Sequence, residues 1–202
     1  MIPSLQQAKK LFDFITSKTD SLNVKQGLPK GVSAKHYKNV AFIASTIAEK
    51  TGLDVKKAYI LGLLHDYGEY IEDTTKGTFH GTAGYIEMIN KGFDEVAKIC
   101  LTHSFFDKNF NPNDYSYESS EILKAKDIIK NMIIDDYDKL IQIADLMSSG
   151  ANIVKIDERL YKLSIKYNIR EELLLNKIKE ANLLKAYFDE KCGCNIYDLF
   201  SL

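Results

Sequence analysis

The chain has 202 residues, enough for one substantial hydrophobic core, and we expect a single domain over residues 1–202. Its 27 basic and 28 acidic residues give a formal net charge of −1, so no overall field favours a nucleic acid or an anionic membrane as partner. Three cysteines do not resemble a secreted disulfide framework, and no long uncharged apolar run is present, so we expect a cytoplasmic protein without a targeting segment.

Apolar residues recur at spacings of three and four along almost the whole chain, and this period predicts an all-α fold. The predicted helices cover residues 4–16, 34–52, 54–65, 81–90, 94–103, 121–131, 137–148, 157–167 and 171–191. A segment rich in Gly, Pro and Ser follows the first helix, and residues 105–120 form an aromatic segment with the composition of an irregular loop. Such a loop could rim a pocket.

The four histidines, His36, His65, His80 and His103, all lie at predicted helix ends or on apolar helical faces. A single histidine in such a place is usually a core or capping residue that bonds a backbone carbonyl. Four of them, together with Asp145 in the apolar run "LIQIADLM", indicate a functional cluster. An unpaired buried carboxylate costs several kcal/mol, and a metal ion would remove that cost.

The stretch "AYILGLLHDYGEYIED" places His65 and Asp66 side by side at the end of an apolar helix. Adjacent helical residues point about 100° apart, which allows both side chains to approach one cation near the helix end. With His36 and Asp145 from two other helices, the ligand set has two imidazoles and two carboxylates. This mixed set favours Mn, Fe, Co, Ni or Zn over Mg and leaves positions open for water and substrate.

The order His36, His65-Asp66 and Asp145 resembles the H…HD…D signature of the HD-domain metal-dependent phosphohydrolases, over about residues 35–149. His80 and His103 lie between the HD pair and the last Asp, as in the dinuclear branch of that superfamily. The resemblance implies an all-α HD-domain bundle of roughly eight helices that binds one or two divalent ions. It also implies that Asp66 bridges the ions, with His36, His65 and Asp145 on the first and His80 and His103 on the second.

Glu69 follows Asp66 by three residues, nearly one helical turn. In the mononuclear 5′-deoxynucleotidases and alarmone hydrolases of this superfamily, a Glu at this spacing is similar to the group that positions or activates the attacking water. Dinuclear branches, including cyclic-dinucleotide phosphodiesterases and symmetrical dinucleoside tetraphosphatases, commonly have a Lys there. The chain therefore mixes features of both branches, and the substrate of neither carries over. A solvated Glu beyond a helix end is the structural alternative.

The resemblance predicts an enzyme that cleaves a phosphoester or phosphoanhydride of a small nucleotide-like substrate through a metal-activated water, with Asp66 and Glu69 as catalytic residues. Candidate phosphate contacts are Lys35, Lys38, Lys76, Lys108 and Arg159, although each could be an ordinary solvated side chain. Tyr67, Phe105, Phe106 and Tyr115 could stack a base, although aromatic residues at helical spacing usually belong to a core.

Two other functions remain open. One is a non-catalytic HD module that binds a nucleotide and regulates a partner, and the other is a di-iron oxygenase of the HD type. Ligand completeness favours catalysis, because regulatory copies can lose ligands and this chain keeps all six. The helices over residues 157–191 could cap the site or form the surface of a homodimer.

Overall fold

The computed structural model describes residues 1–25, 27, 30–71, 78–115 and 119–202. Its α-helices there are α1 Leu5–Lys25, α2 Val32–Thr51, α3 Val55–Leu64, α4 His80–Asn90, α5 Asp94–Thr102, α6 Ser119–Ile129, α7 Asp136–Leu146, α8 Ile156–Tyr167 and α9 Glu171–Cys192. Short 3-10 helices within the same ranges cover Tyr67–Ile71, Pro112–Asp114 and Ile196–Phe200. The prediction of an all-α fold is confirmed. Within the described ranges, no helix is both long and apolar enough to cross a bilayer.

Side-chain caps begin two of the helices that position the site. The Asp54 carboxylate accepts a hydrogen bond from the backbone N–H of Lys57 (2.9 Å) at the start of α3. Asp135 and Asp138 form a reciprocal capping box at the start of α7, in which each carboxylate accepts from the other residue's backbone N–H. These caps satisfy backbone donors that would otherwise lack partners and fix where each helix begins.

Helix α1 is longer than predicted, because it continues to Lys25 instead of ending at Thr16. Thr19 and Asn23 are polar residues that occupy buried positions on its inner face. The Thr19 hydroxyl donates to the carbonyl of Ile15 (3.0 Å), and the Asn23 amide donates to the Ser33 hydroxyl (3.2 Å). The pattern of apolar residues therefore stops before the helix does.

The end of α7 also differs from the prediction, which extended this helix to residue 148. The helix ends at Leu146, and two short antiparallel strands follow, β1 Ser148–Ser149 and β2 Asn152–Ile153. Gly150 between them has a φ of 61°, a left-handed conformation that glycine adopts without strain. The ribbon turns the chain from α7 into α8, and the hydroxyl oxygen of its Ser148 lies 2.9 Å from Nδ1 of His36.

The core contains the second half of α3, including Ile60, Leu61, Leu63 and Leu64. Glycines let neighbouring elements approach this helix closely. A Cβ on Gly62 would lie 2.8 Å from the Cα of Ala41 in α2. A Cβ on Gly68 would lie 1.9 Å from the carbonyl oxygen of His80, so the segment after α3 packs backbone to backbone against the start of α4. This packing brings three candidate ligand segments together.

Candidate metal centre

All six predicted ligands lie around one point in the bundle. His36 lies in α2, His65 and Asp66 follow α3, His80 begins α4, His103 follows α5, and Asp145 lies in the last turn of α7. The side chains of His65 and His103 are buried, whereas Asp66 and Asp145 are partly exposed. The side chains of His80, Asp66 and Asp145 are all partly exposed, so the cluster is open on one side.

Asp66 is the centre of the cluster, because its two carboxylate oxygens face different pairs of histidines. Oδ2 lies 3.5 Å from Nε2 of His36 and 3.1 Å from Nε2 of His65. Oδ1 lies 3.5 Å from Nε2 of His80 and 3.1 Å from Nε2 of His103. This arrangement gives two candidate ligand groups that share Asp66, one with His36 and His65 and the other with His80 and His103.

Asp145 extends the first of these groups. Its Oδ1 lies 3.1 Å from Nε2 of His36 and 3.9 Å from Nε2 of His65. In the second group, the Nε2 atoms of His80 and His103 lie 3.4 Å apart. The first group therefore has two nitrogen and two carboxylate ligands, and the second has two nitrogen ligands and the shared carboxylate.

The orientation of the imidazoles fits divalent metal ions. Nδ1 of His65 lies 2.8 Å from the carbonyl oxygen of Gly62, and Nδ1 of His103 lies 3.0 Å from that of Ile99. Since a carbonyl only accepts, each Nδ1 donates and Nε2 remains to face Asp66. Nε2 of His65 is buried and has no hydrogen-bond partner among the described residues, although a carboxylate oxygen is 3.1 Å away. A cation between these atoms would satisfy both.

The charges of the cluster support the same interpretation. Burial lowers the pKa of His36, but the Asp145 and Asp66 carboxylates outweigh burial and raise it to about 9. Burial alone would raise the pKa values of both carboxyl groups. The adjacent histidines, His65 foremost, hold the pKa of Asp66 well below its usual range, and His36 does the same for Asp145. The carboxylates thus remain charged, and a metal ion would replace the added proton on His36.

Glu69 lies beside this cluster and is held by a buried tyrosine. The Tyr37 hydroxyl donates a hydrogen bond to the Glu69 carboxylate. Burial, and then the negative charge of Asp66, raise the pKa of Glu69, whereas the bond from Tyr37 lowers it. Burial and the charge of Glu69 also raise the pKa of Tyr37, so the tyrosine remains a donor. The structure therefore places a carboxyl group with a raised pKa next to the candidate metal ligands.

The cluster opens into a cavity of about 410 Å³. Helices α2 to α7 and the segments that follow them supply His36, Asp66, Glu69 and Asp145 to its lining. Helix α8 and the segment after it contribute apolar side chains on another part of the lining: Leu160, Leu163 and Ile169. A cavity of this size with a few convergent polar groups is typical of a small-molecule site.

The structure brings one of the predicted phosphate contacts, Arg159, to this cavity. Lys35 and Lys38 are exposed on α2, and the Lys38 ammonium lies over the Phe12 ring, 5.4 Å from its centroid. Lys108 donates to the carbonyl oxygen of Met132. Among the described residues that line the cavity, neither Lys35, Lys38 nor Lys108 appears. Lys76 lies outside the described residues.

The cavity lining also contains two cationic residues that were not predicted from the sequence, Lys166 and Lys177. Lys166 lies seven residues after Arg159, two helical turns on, so the spacing alone indicates a shared face of α8. No local pattern marks Lys177. Of the aromatic candidates, Phe106 lines the cavity, whereas Tyr67 and Phe105 are buried in the hydrophobic clusters.

Gln142 in α7 holds the turn that carries His103. Its side-chain amide donates to the carbonyl oxygens of Thr102 (3.0 Å) and Phe105 (2.7 Å). The Thr102 hydroxyl donates to Oδ1 of the buried Asp138 (2.7 Å), one turn earlier in α7. The helix that supplies Asp145 to the first ligand group therefore also fixes the backbone around a ligand of the second.

We expect Gln142→Leu to weaken metal binding at the second group more than at the first. The substitution leaves the carbonyls of Thr102 and Phe105 without their side-chain donor, at about 1–3 kcal/mol for each buried group. Calorimetric titration with Mn²⁺ should show one of two sites weakened. Gln6→Leu, an exposed change of the same type on α1, should leave both sites intact. Equal weakening of both sites would contradict a local role for Gln142.

An all-α fold with histidines and carboxylates around a shared aspartate defines a helical protein with a candidate metal centre. A sequence model of the HD domain family matches residues 34–150, more than half of the chain, and this range contains all six candidate ligands. The chain belongs to the HD domain family, whose members are generally metal-dependent phosphohydrolases. No curated protein and no solved structure matches the sequence significantly.

Proposed function

We propose that the protein is a metal-dependent phosphohydrolase that cleaves a phosphoester or phosphoanhydride of a small nucleotide-like molecule. The observation that carries the proposal is the position of Asp66, with one oxygen near His36 and His65 and the other near His80 and His103, at the wall of a cavity of about 410 Å³. The HD family match supports the same class of reaction.

The two candidate ligand groups support the following roles for the chain's own residues. His36, His65 and Asp145 would hold one divalent ion, His80 and His103 a second, and Asp66 both. Such ions supply Lewis acidity and lower the pKa of water. The ionised carboxylates compensate the positive charge of the ions, and the carbonyl bonds to Nδ1 of His65 and His103 keep these rings in the required orientation.

Glu69 is the proposed general base. Burial raises the pKa of Glu69, which makes its carboxylate a stronger base than that of an ordinary surface glutamate. The hydrogen bond from the Tyr37 hydroxyl orients this carboxylate. The apolar and aromatic part of the lining, including Phe79, Phe106 and Leu163, suits the uncharged part of a nucleotide, and Arg159 suits a phosphate.

A panel of mono-, di-, tri- and bridged nucleotides would test the proposal. We expect the protein with added Mn²⁺ to release phosphate or nucleoside from a subset of the panel, to stop after chelation, and to recover when Mn²⁺ is returned. Nucleotide binding without any product in metal-loaded protein would support the non-catalytic module instead. Oxygen consumption by iron-loaded protein would support the di-iron oxygenase.

A further inference from the structure

Three cationic side chains line the same cavity on elements beyond the family match. Arg159 and Lys166 belong to α8, and Lys177 belongs to α9, whereas the HD domain match ends at residue 150. Within the described residues, none of the three forms an ion pair with Asp66, Asp145 or any other carboxylate. They therefore form a cationic wall that is separate from the metal ligands.

Several other lysines of the described residues have a carboxylate partner. Lys98, Lys185 and Lys191 each pair with an aspartate. By contrast, the Nε atom of Arg159 is buried and has no hydrogen-bond partner among the described residues. Burying a guanidinium donor without an acceptor is unfavourable. Arg159 itself lines the cavity.

Lys177 also lacks a direct carboxylate partner among the described residues. Burial lowers its pKa, and the charges of Glu180 and Asp114 oppose that effect without direct contact. Its ammonium lies 4.9 Å from the centroid of the Tyr115 ring. Asp114 also lines the cavity, but its Oδ1 is paired with Arg170 at 3.2 Å. The positive charge at Lys177 is therefore only partly compensated by the protein.

We infer that the cavity binds a small bisphosphate, with one phosphate at the metal ligands and the second on the wall formed by Arg159, Lys166 and Lys177. The inference rests on the proposed function, which places the first phosphate at the metal ligands. Three cations match the double charge of a phosphate better than the single charge of a carboxylate, and a guanidinium matches its oxygens in pairs. The apolar lining contributed by Phe106, Leu163 and Ile169 suits the uncharged body of the ligand.

Adenosine 3′,5′-bisphosphate and adenosine 5′-monophosphate differ by one phosphate and provide the test. For the Mn²⁺-loaded protein, the quantity to compare is KM where product forms and Kd where it does not. We expect the bisphosphate to bind at least about tenfold more tightly, because the second phosphate gains charge-assisted hydrogen bonds. Arg159→Gln, Lys166→Gln and Lys177→Gln should each weaken bisphosphate binding by about tenfold and monophosphate binding much less.

Lys162→Gln is the matched control, since this exposed lysine of α8 pairs with Glu158 at 2.6 Å. It should leave the preference for the bisphosphate unchanged. Equal affinity for the two nucleotides in the wild type, or equal losses for both in the three variants, would overturn the inference while leaving phosphohydrolase activity intact. Preference for the bisphosphate without any product would support the inference and would count against the proposed function.

Discussion

Asp66→Asn should remove both metal ions and abolish turnover together. Each oxygen of the Asp66 carboxylate faces a different pair of histidines, so a neutral amide weakens both ligand groups at once. Loss of a direct ligand should exceed the roughly 10–100-fold loss of affinity typical of partners behind the ligands. We expect turnover to fall by at least about 10³-fold. Metal content after dialysis and the initial rate with added Mn²⁺ measure the two effects.

Thermal unfolding gives a readout of the same change that does not depend on activity. A metal ion at about 1,000 times its Kd stabilises the folded state by about 4 kcal/mol. For a chain of this length, that stabilisation raises Tm by about 8–16 °C. The wild type and the exposed control Asp13→Asn should show this rise with Mn²⁺, and Asp66→Asn should not. An Asp66→Asn protein that retains one tightly bound ion would show that the carboxylate does not serve both groups.

The helices could be predicted because burial of one face imposes a period of three and four on the sequence. The predicted ends of α1 and α7 were wrong, because a helix can continue or stop for reasons other than the period of its apolar residues. At the end of α1, Thr19 and Asn23 are buried with their own hydrogen bonds, so the helix continues without apolar residues. After Leu146, the ribbon around Gly150 depends on tertiary packing, and two-residue strands leave almost no periodic signal.

The clustering of the six candidate ligands could be predicted because buried imidazoles and carboxylates need a partner, and few residue types satisfy this need. The cationic part of the cavity lining could not be predicted in the same way. A lysine is common on any surface, and its long side chain contacts whatever is near, as Lys38 does with Phe12 and Lys108 with Met132. Lys177 reaches the cavity only because α9 packs against α8, which no local pattern in its own sequence shows.

Glu69→Gln should lower kcat while both metal ions stay bound. The proposed general base would lose its ability to accept a proton, and general acid-base catalysis typically contributes about 10²–10⁴-fold. Glutamine keeps the size of the side chain and can still accept the hydrogen bond from the Tyr37 hydroxyl. Metal content and the Mn²⁺-dependent rise in Tm should therefore match those of the wild type. A large loss of metal would instead identify Glu69 as a ligand.

Tyr37→Phe tests the hydrogen bond to Glu69 without replacing Glu69 itself. The variant keeps the carboxylate and removes its hydrogen-bond donor. The bond from Tyr37 favours the ionised form of Glu69 and lowers its pKa, so removing the hydroxyl raises that pKa. A base with a higher pKa becomes active at higher pH, and the acidic limb of the kcat/KM profile should move upward. Bound cations lower the pKa of Glu69 in both proteins, so the direction of the difference remains. An unchanged limb, together with an unchanged kcat, would exclude Glu69 as the titrating base.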